Sequence, residues 1–292
     1  MPPLRRLDFL PALAALLLCA LASAAQALQV TDDRGVTLRF DVAPQRIVSL
    51  LPSLTESVCA LGECQRLVGV DRFSNWPASV RSLPQLGGLD DAPIEAIVAL
   101  KPDVVLLAAS ARVSSRLESL GIKVLALEPK NFADVQRVLL QIGRLLNLRD
   151  ADRVWRGIDA AMASAVAGVP TRARGAKVYF EVSREPYAAG ASSFIGEMLT
   201  RLGLGNIVPA ALGPFPQLNP EFVVRADPDL IMIGDGSAQG LAQRPGWSGM
   251  RALREQRICA FQPEQADMLV RPGPRMAQAA QLLAQCVRDK LP

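Results

Sequence analysis

The stretch EAIVALKPDVVLL, beginning at Glu95, returns later in the chain as EFVVRADPDLIMI, beginning at Glu221. In both copies a glutamate heads the segment, a Pro-Asp pair sits at its middle and an aliphatic run closes it. Proline cannot continue a helix, so each copy reads as a helix that stops and a buried strand that follows. A chain built on helix-then-strand steps has few choices, because strands reached through helices run parallel and a parallel sheet needs helices on both faces.

The rest of the sequence keeps the same rhythm. RIVSLLP, RLVGVD, DVVLLAA and GIKVLALEP are short aliphatic runs with turn residues around them, as buried strands have. Between the first two lies SLTESVCALG, where Ser53 is placed to cap a helix, Glu56 to complete a capping box and Gly62 to close it. Asp91 and Pro93 suit the start of the first repeated helix. From Asn131 to Val169 the pattern is wholly helical, with a break over Asn147–Arg149 and Asp150 placed to cap the second piece. The α/β rhythm then resumes with AKVYFEVS, FIGEMLTRLGL, EFVVRA, DLIMI, WSGMRALREQ and ICAFQ, and a last helix starts at Pro274. At 292 residues the chain has room for two lobes of ordinary size. The fold class is α/β: two Rossmann-like lobes with parallel sheets, joined by a single long rigid α-helix. The segments are a leader over 1–27, a first lobe over 28–131, a helical connector over 132–170 and a second lobe over 171–292.

MPPLRRLDFLPALAALLLCALASAAQA has two arginines, a short apolar run and the small-residue motif Ala25-Gln26-Ala27, the pattern of a cleaved secretory signal. The apolar run is short for a membrane span, and Leu18 is bulky for the residue before a lipidated Cys19. Export leaves Cys59, Cys64, Cys259 and Cys286 in an oxidising compartment, where four cysteines allow three pairings. Proximity favours Cys59 with Cys64, leaving Cys259 with Cys286; buried free thiols are the other reading.

The chain has no histidine, which removes Ser-His-Asp and Cys-His nucleophiles, HExxH metal sites and the commonest general base. Without a second cysteine pair of matching spacing, Cys-x4-Cys is no zinc site, and no metal site is expected. What remains for an enzyme is the carboxylate pair Asp90 and Asp91, or a dinucleotide on GDGSAQG with Glu255 downstream. Basic residues are scattered without a run, so no nucleic-acid surface is expected. Ligands of open α/β sheets bind at the carboxyl ends of the strands. The loops expected there include RFSNW, GGLDD, REPYAAGASS, GPFPQ and QADMLVR, and they carry Phe73, Trp76, Tyr187 and Phe215. Such concentration of scarce aromatics suits a ligand cleft.

RIVSLLPSLTE, LVGVDRFSNWP, LPQLGG, IEAIVALKPDVVLL, PFPQLNPE and DMLVRPGPR together resemble the helical-backbone periplasmic binding proteins of ABC importers, the cobalamin-binding branch above all. The resemblance spans nearly the whole chain after the leader. It implies a monomeric periplasmic carrier rather than an enzyme, without a cofactor of its own, holding cobalamin or a related corrinoid between two lobes. It further implies delivery to a dimeric ABC permease and its cytoplasmic ATPase, with Glu95 and Glu221 meeting permease arginines. The ligand positions it implies are Phe73, Leu89, Phe215, Asp267, Met268, Leu269 and Arg271, to which the loop aromatics Trp76 and Tyr187 are added. Two departures stand out: Leu89 replaces a tryptophan, and Cys259 substitutes for the cysteine that would pair with Cys286. A ferric siderophore is the alternative cargo, drawn by Arg72, Arg112, Arg184 and Arg271. Haem-binding relatives have a tyrosine where this chain has Leu89, so iron ligation by the protein is not expected.

Overall fold

The computed structural model describes residues 27–88, 90–183, 187–234 and 238–291. The leader over 1–27 with its Cys19, together with Leu89, Arg184 and most of the GDGS turn, therefore lies outside or at the edge of the described residues. No helix among the described residues is long and apolar enough to cross a membrane.

Two sheets carry the fold. The first has the order β4 (Leu67–Val70), β3 (Ile47–Ser49), β5 (Val104–Leu107), β6 (Val124–Ala126), and all its pairings are parallel. The second runs β11 (Ile258–Ala260), β10 (Leu230–Ile233), β7 (Lys177–Ser183), β8 (Tyr187–Ala188), with β9 (Gly205–Asn206) also on β7. Its pairings are parallel except β7 with β8. A hairpin of β1 (Leu28–Thr31) and β2 (Thr37–Phe40) stands apart.

Each strand of the repeat alternates between two cores, as a pleat covered on both faces must. Val104 and Leu106 face one core of the first lobe while Val105 and Leu107 face the other. In β10, Leu230 and Met232 divide from Ile231 and Ile233 in the same way.

The repeat itself is reproduced down to its turns. Helix α2 (Ile94–Ala99) leads into β5, and helix α7 (Pro220–Ala226) leads into β10; we number helices from α1 (Pro52–Ala60), with α3 at Ser114–Ser119, α6 at Phe194–Arg201 and α8 at Arg251–Arg254. Lys101 and Asp227, in matching places, both take left-handed backbone with φ of 47° and 39°. That turn lets the following proline redirect the chain after the helix ends. The aspartate after each proline staples the new strand to its neighbour. Asp103 Oδ2 accepts from the amides of Gln45 and Arg46 at 2.8 and 2.9 Å, and Asp229 Oδ2 accepts from the amide of Lys177 at 2.8 Å.

The connector departs from one continuous rod. It is a pair of helices, α4 (Phe132–Leu145) and α5 (Ala151–Ala167), separated by a turn in which Asn147 is left-handed with φ 57°. The turn folds tightly because Gly143 leaves room for Ala151: a Cβ on the glycine would collide with the alanine methyl. Helix α4 serves both lobes, with Val138, Ile142 and Leu145 in a first-lobe core and Phe132, Val135 and Leu139 in a second-lobe core. Helix α5 packs on α10 (Met276–Lys290).

Cys59 is bonded to Cys64 and Cys259 to Cys286. The second closes a separation of 27 residues and the first only 5, so chain entropy gives the second more weight. Replacing Cys259 and Cys286 by serine should lower stability by about 3.5 kcal/mol, against about 2 kcal/mol for the shorter loop. Chemical denaturation of the two variants checks the order.

Candidate functional site

Proline at position 52 starts α1 directly after β3, so Leu51 is the cap and Ser53 already lies inside the helix. The capping box expected of Ser53 and Glu56 therefore does not form, and Glu56 is carried to the buried side of α1, 1% exposed. Burial pushes its carboxyl up, with Arg275 and Arg271 pulling the other way.

After β4 the chain makes a tight turn around Asp71, itself buried. Its carboxylate accepts from the Phe73 amide at 2.8 Å and lies 2.5 Å from the Ser74 hydroxyl. Ser74 Oγ is also 2.8 Å from Thr55 Oγ1, which reaches Ser49 Oγ at 2.9 Å. Burial raises the Asp71 carboxyl too, and those hydrogen bonds oppose it. With its amide held inward, Phe73 projects its ring outward, 59% exposed.

Beside it lies a pocket of about 490 Å3, with Leu50, Leu51, Pro52 and Phe73 as the apolar wall and Asp71, Arg72, Asp90 and Asp91 as the polar rim. Arg72 pairs with Asp91 and sits 5.6 Å from the centre of the Phe73 ring. That guanidinium, with the Gly88 amide at 2.6 Å, holds the Asp91 carboxyl below its usual range. Asp91, expected to cap α2, is thus part of the rim, and Pro93 is the cap. Asp90 has Arg112 at 3.6 Å.

The second lobe reaches this loop. Helix α9 (Pro263–Val270) ends at Arg271, whose Nη1 donates to Asn75 Oδ1 at 2.8 Å and to Glu56 at 3.2 Å, and whose Nη2 donates to the Phe73 carbonyl at 3.0 Å. Asn75 Nδ2 donates to Asp267 Oδ2 at 2.7 Å. Arg275 lies 3.6 Å from Glu56 and stacks 4.8 Å from the Trp76 ring centre. The pocket is lined by first-lobe residues, and the loop that carries its Phe73 wall is held from the second lobe.

Several residues expected at the ligand stand elsewhere. QADMLVR is not a loop: Pro263 at the first helical position and a capping box between Gln262 and Gln265 start a helix there. Met268 and Leu269 face into the second-lobe core and offer no surface to a guest. Arg271 and Asp267 are bound to each other at 2.9 Å and to first-lobe partners, and Trp76 is half-buried under Arg275. Tyr187 and Phe215 are exposed, at 39% and 46%, on antiparallel segments tied by Ala188 N to Pro216 O at 3.0 Å and Gly190 N to Pro214 O at 2.9 Å. The sequence reading missed Glu56, Asn75 and Arg275 as a junction; Pro52, which shifts the helix start, is the one signal that frees Glu56 from a capping role.

Glu95 and Glu221 are exposed in the first turns of α2 and α7, and neither takes part in an ion pair among the described residues. No cluster of metal-binding side chains occurs among the described residues.

Residues 47–264 match the periplasmic binding protein family. An uncharacterised ABC transporter substrate-binding lipoprotein of Bacillus subtilis strain 168, YvrC, is 30% identical over 268 residues, covering 88% of this chain and 83% of the relative. A vitamin B12-binding protein of Pectobacterium carotovorum strain PC1 is 26% identical over 244 residues, covering 82% and 86%. Among solved structures, the periplasmic heme-binding protein RhuT from Roseiflexus sp. RS-1, in apo form, superposes with a TM-score of 0.75 at 25% identity, covering 84% of this chain and 98% of that one. The two predominantly parallel sheets and the match across most of the chain agree: this protein belongs to the periplasmic binding protein family.

Proposed function

We propose that this protein is the periplasmic capture subunit of an ABC importer, taking a corrinoid such as cobalamin between its lobes and passing it to a permease dimer with a cytoplasmic ATPase. Glu95 and Glu221 serve as its docking carboxylates, and the chain carries out no chemistry on its cargo. The vitamin B12-binding relative supports the cargo, and the rim of the pocket is the observation that carries the choice. The arginine of the rim, Arg72, is paired to Asp91, and Arg112, outside the lining, lies 3.6 Å from Asp90, while Arg271 is engaged with Glu56 and Asp267. A rim of paired charge, richer in carboxylates than in guanidinium groups, disfavours the propionates of haem and anionic ferric siderophores. It suits the primary amides around a corrin ring, whose N–H groups donate to carboxylates. The exposed Phe73 ring offers a flat apolar face to the macrocycle. Tyr187 and Phe215 are the residues we assign to the same task on the second lobe.

Titration of the purified protein with cyanocobalamin, haemin and a ferric siderophore, followed by calorimetry, tests this directly. Cyanocobalamin should bind most tightly, and Phe73→Ala should weaken it about tenfold or more through lost ring contact. Tighter binding of a ferric siderophore would transfer the assignment to that cargo.

A further inference from the structure

Glu56 belongs to the first lobe, but both guanidinium groups that face its carboxylate come from the second, Arg271 at 3.2 Å and Arg275 at 3.6 Å. Its other oxygen, Oε2, is buried without a hydrogen-bond partner in the structure. A buried ion pair stabilises little more than well-packed apolar residues would, so stability alone is a weak reason to keep one. What this one supplies is a directional hold. The fork of Arg271 also binds Asn75 Oδ1 and the Phe73 carbonyl, Asn75 reaches back to Asp267, and Arg275 covers Trp76. Positions 73, 75 and 76 of the aromatic loop are thus all gripped from the opposite lobe. The approach is close: a Cβ on Gly273 would lie 3.5 Å from Ser53 Cβ and 3.6 Å from Glu56 Oε2. Glu56 itself does not line the pocket.

We infer that Glu56 is a positioning residue for ligand capture: by anchoring Arg271 and Arg275 it fixes the Phe73–Trp76 loop and the second lobe in one arrangement before any ligand arrives. Its effect on affinity rests on the corrinoid reading, whereas its hold on the loop does not.

The test uses hydrogen exchange on the ligand-free protein, because the amides of Arg72, Phe73 and Ser74 are hydrogen-bonded and therefore readable. In Glu56→Gln these three should exchange at least tenfold faster while β3 and β5 keep their protection, and cyanocobalamin should bind about tenfold more weakly. Glu56→Asp, which keeps the charge, should recover most of the protection. Should Glu56→Gln not fold, Asn75→Ala removes the outer part of the network and should loosen the same amides. Uniformly faster exchange, or unchanged protection at 72–74 in a folded variant, would overturn the assignment. Selective loosening with no cyanocobalamin binding even by the unaltered protein would uphold the positioning role and remove the corrinoid reading.

Discussion

The variant carrying both Glu95→Ala and Glu221→Ala should bind cyanocobalamin as the unaltered protein does and yet deliver almost none of it. The two carboxylates occupy equivalent places in the repeat, each at the first turn of a helix leading into an interior strand of its sheet. A receptor with two-fold symmetry can meet a pair of related lobes with the same basic group twice. Removing one partner of a desolvated charge pair at an interface costs about 2 kcal/mol at the low end, or roughly thirtyfold in affinity. Two distant sites add, so the double variant should lose roughly a thousandfold in affinity for the permease, against thirtyfold for either single change. Reconstituted transporter vesicles taking up labelled cyanocobalamin would show it. If the glutamates served only to favour their helix N-termini, each would contribute about 0.3–1 kcal/mol of stability. Uptake would then continue undiminished, and the docking role would be gone.

The second large effect concerns stability. Glu181 lies on β7 at 1% exposure, with Arg244 Nη1 and Nη2 on its two oxygens at 2.5 and 2.8 Å and the Tyr179 hydroxyl donating at 3.0 Å. Burial, with the neighbouring carboxylate adding to it, drives the Tyr179 hydroxyl far above its usual range, so it remains a donor at every physiological pH. Arg244 also stacks on buried Trp247, 4.5 Å from the ring centre. Arg244→Ala would leave a carboxylate in the interior with a single hydroxyl to satisfy it. Stranding a buried charge costs about 3–5 kcal/mol, which in a chain of this size lowers the melting midpoint by about 6–15 °C. Calorimetry should record that drop, and adding Glu181→Gln should restore part of it by removing the stranded charge. A loss under about 1 kcal/mol would mean that Glu181 finds water or another partner.

The fold was largely legible because its signals are local. Aliphatic runs bounded by turn residues identified β3, β5, β7 and β10, and the repeated Pro-Asp located the joint between helix and strand in both lobes. The candidate site was legible only in part. Phe73, Tyr187 and Phe215 were singled out by the scarcity of aromatics, and the structure leaves their side chains exposed. Met268 and Leu269 were misplaced because resemblance assigned a loop where Pro263 and the Gln262–Gln265 box start a helix. Glu56 was read as a cap because Ser-x-x-Glu spacing is common at helix starts, while Pro52 had already begun the helix.

By itself, the order of residues determined the alternation of helices and strands, the twofold use of one unit and the exclusion of histidine chemistry. These follow from neighbours a few positions apart, where sterics and hydrophobic period act. Only the tertiary structure decided what the charges do. Asp103 and Asp229 became staples between strands, and Glu56 became the meeting point of two arginines more than two hundred positions away. A carboxylate takes its role from the groups that surround it after folding, and those groups are adjacent in space while remote along the chain.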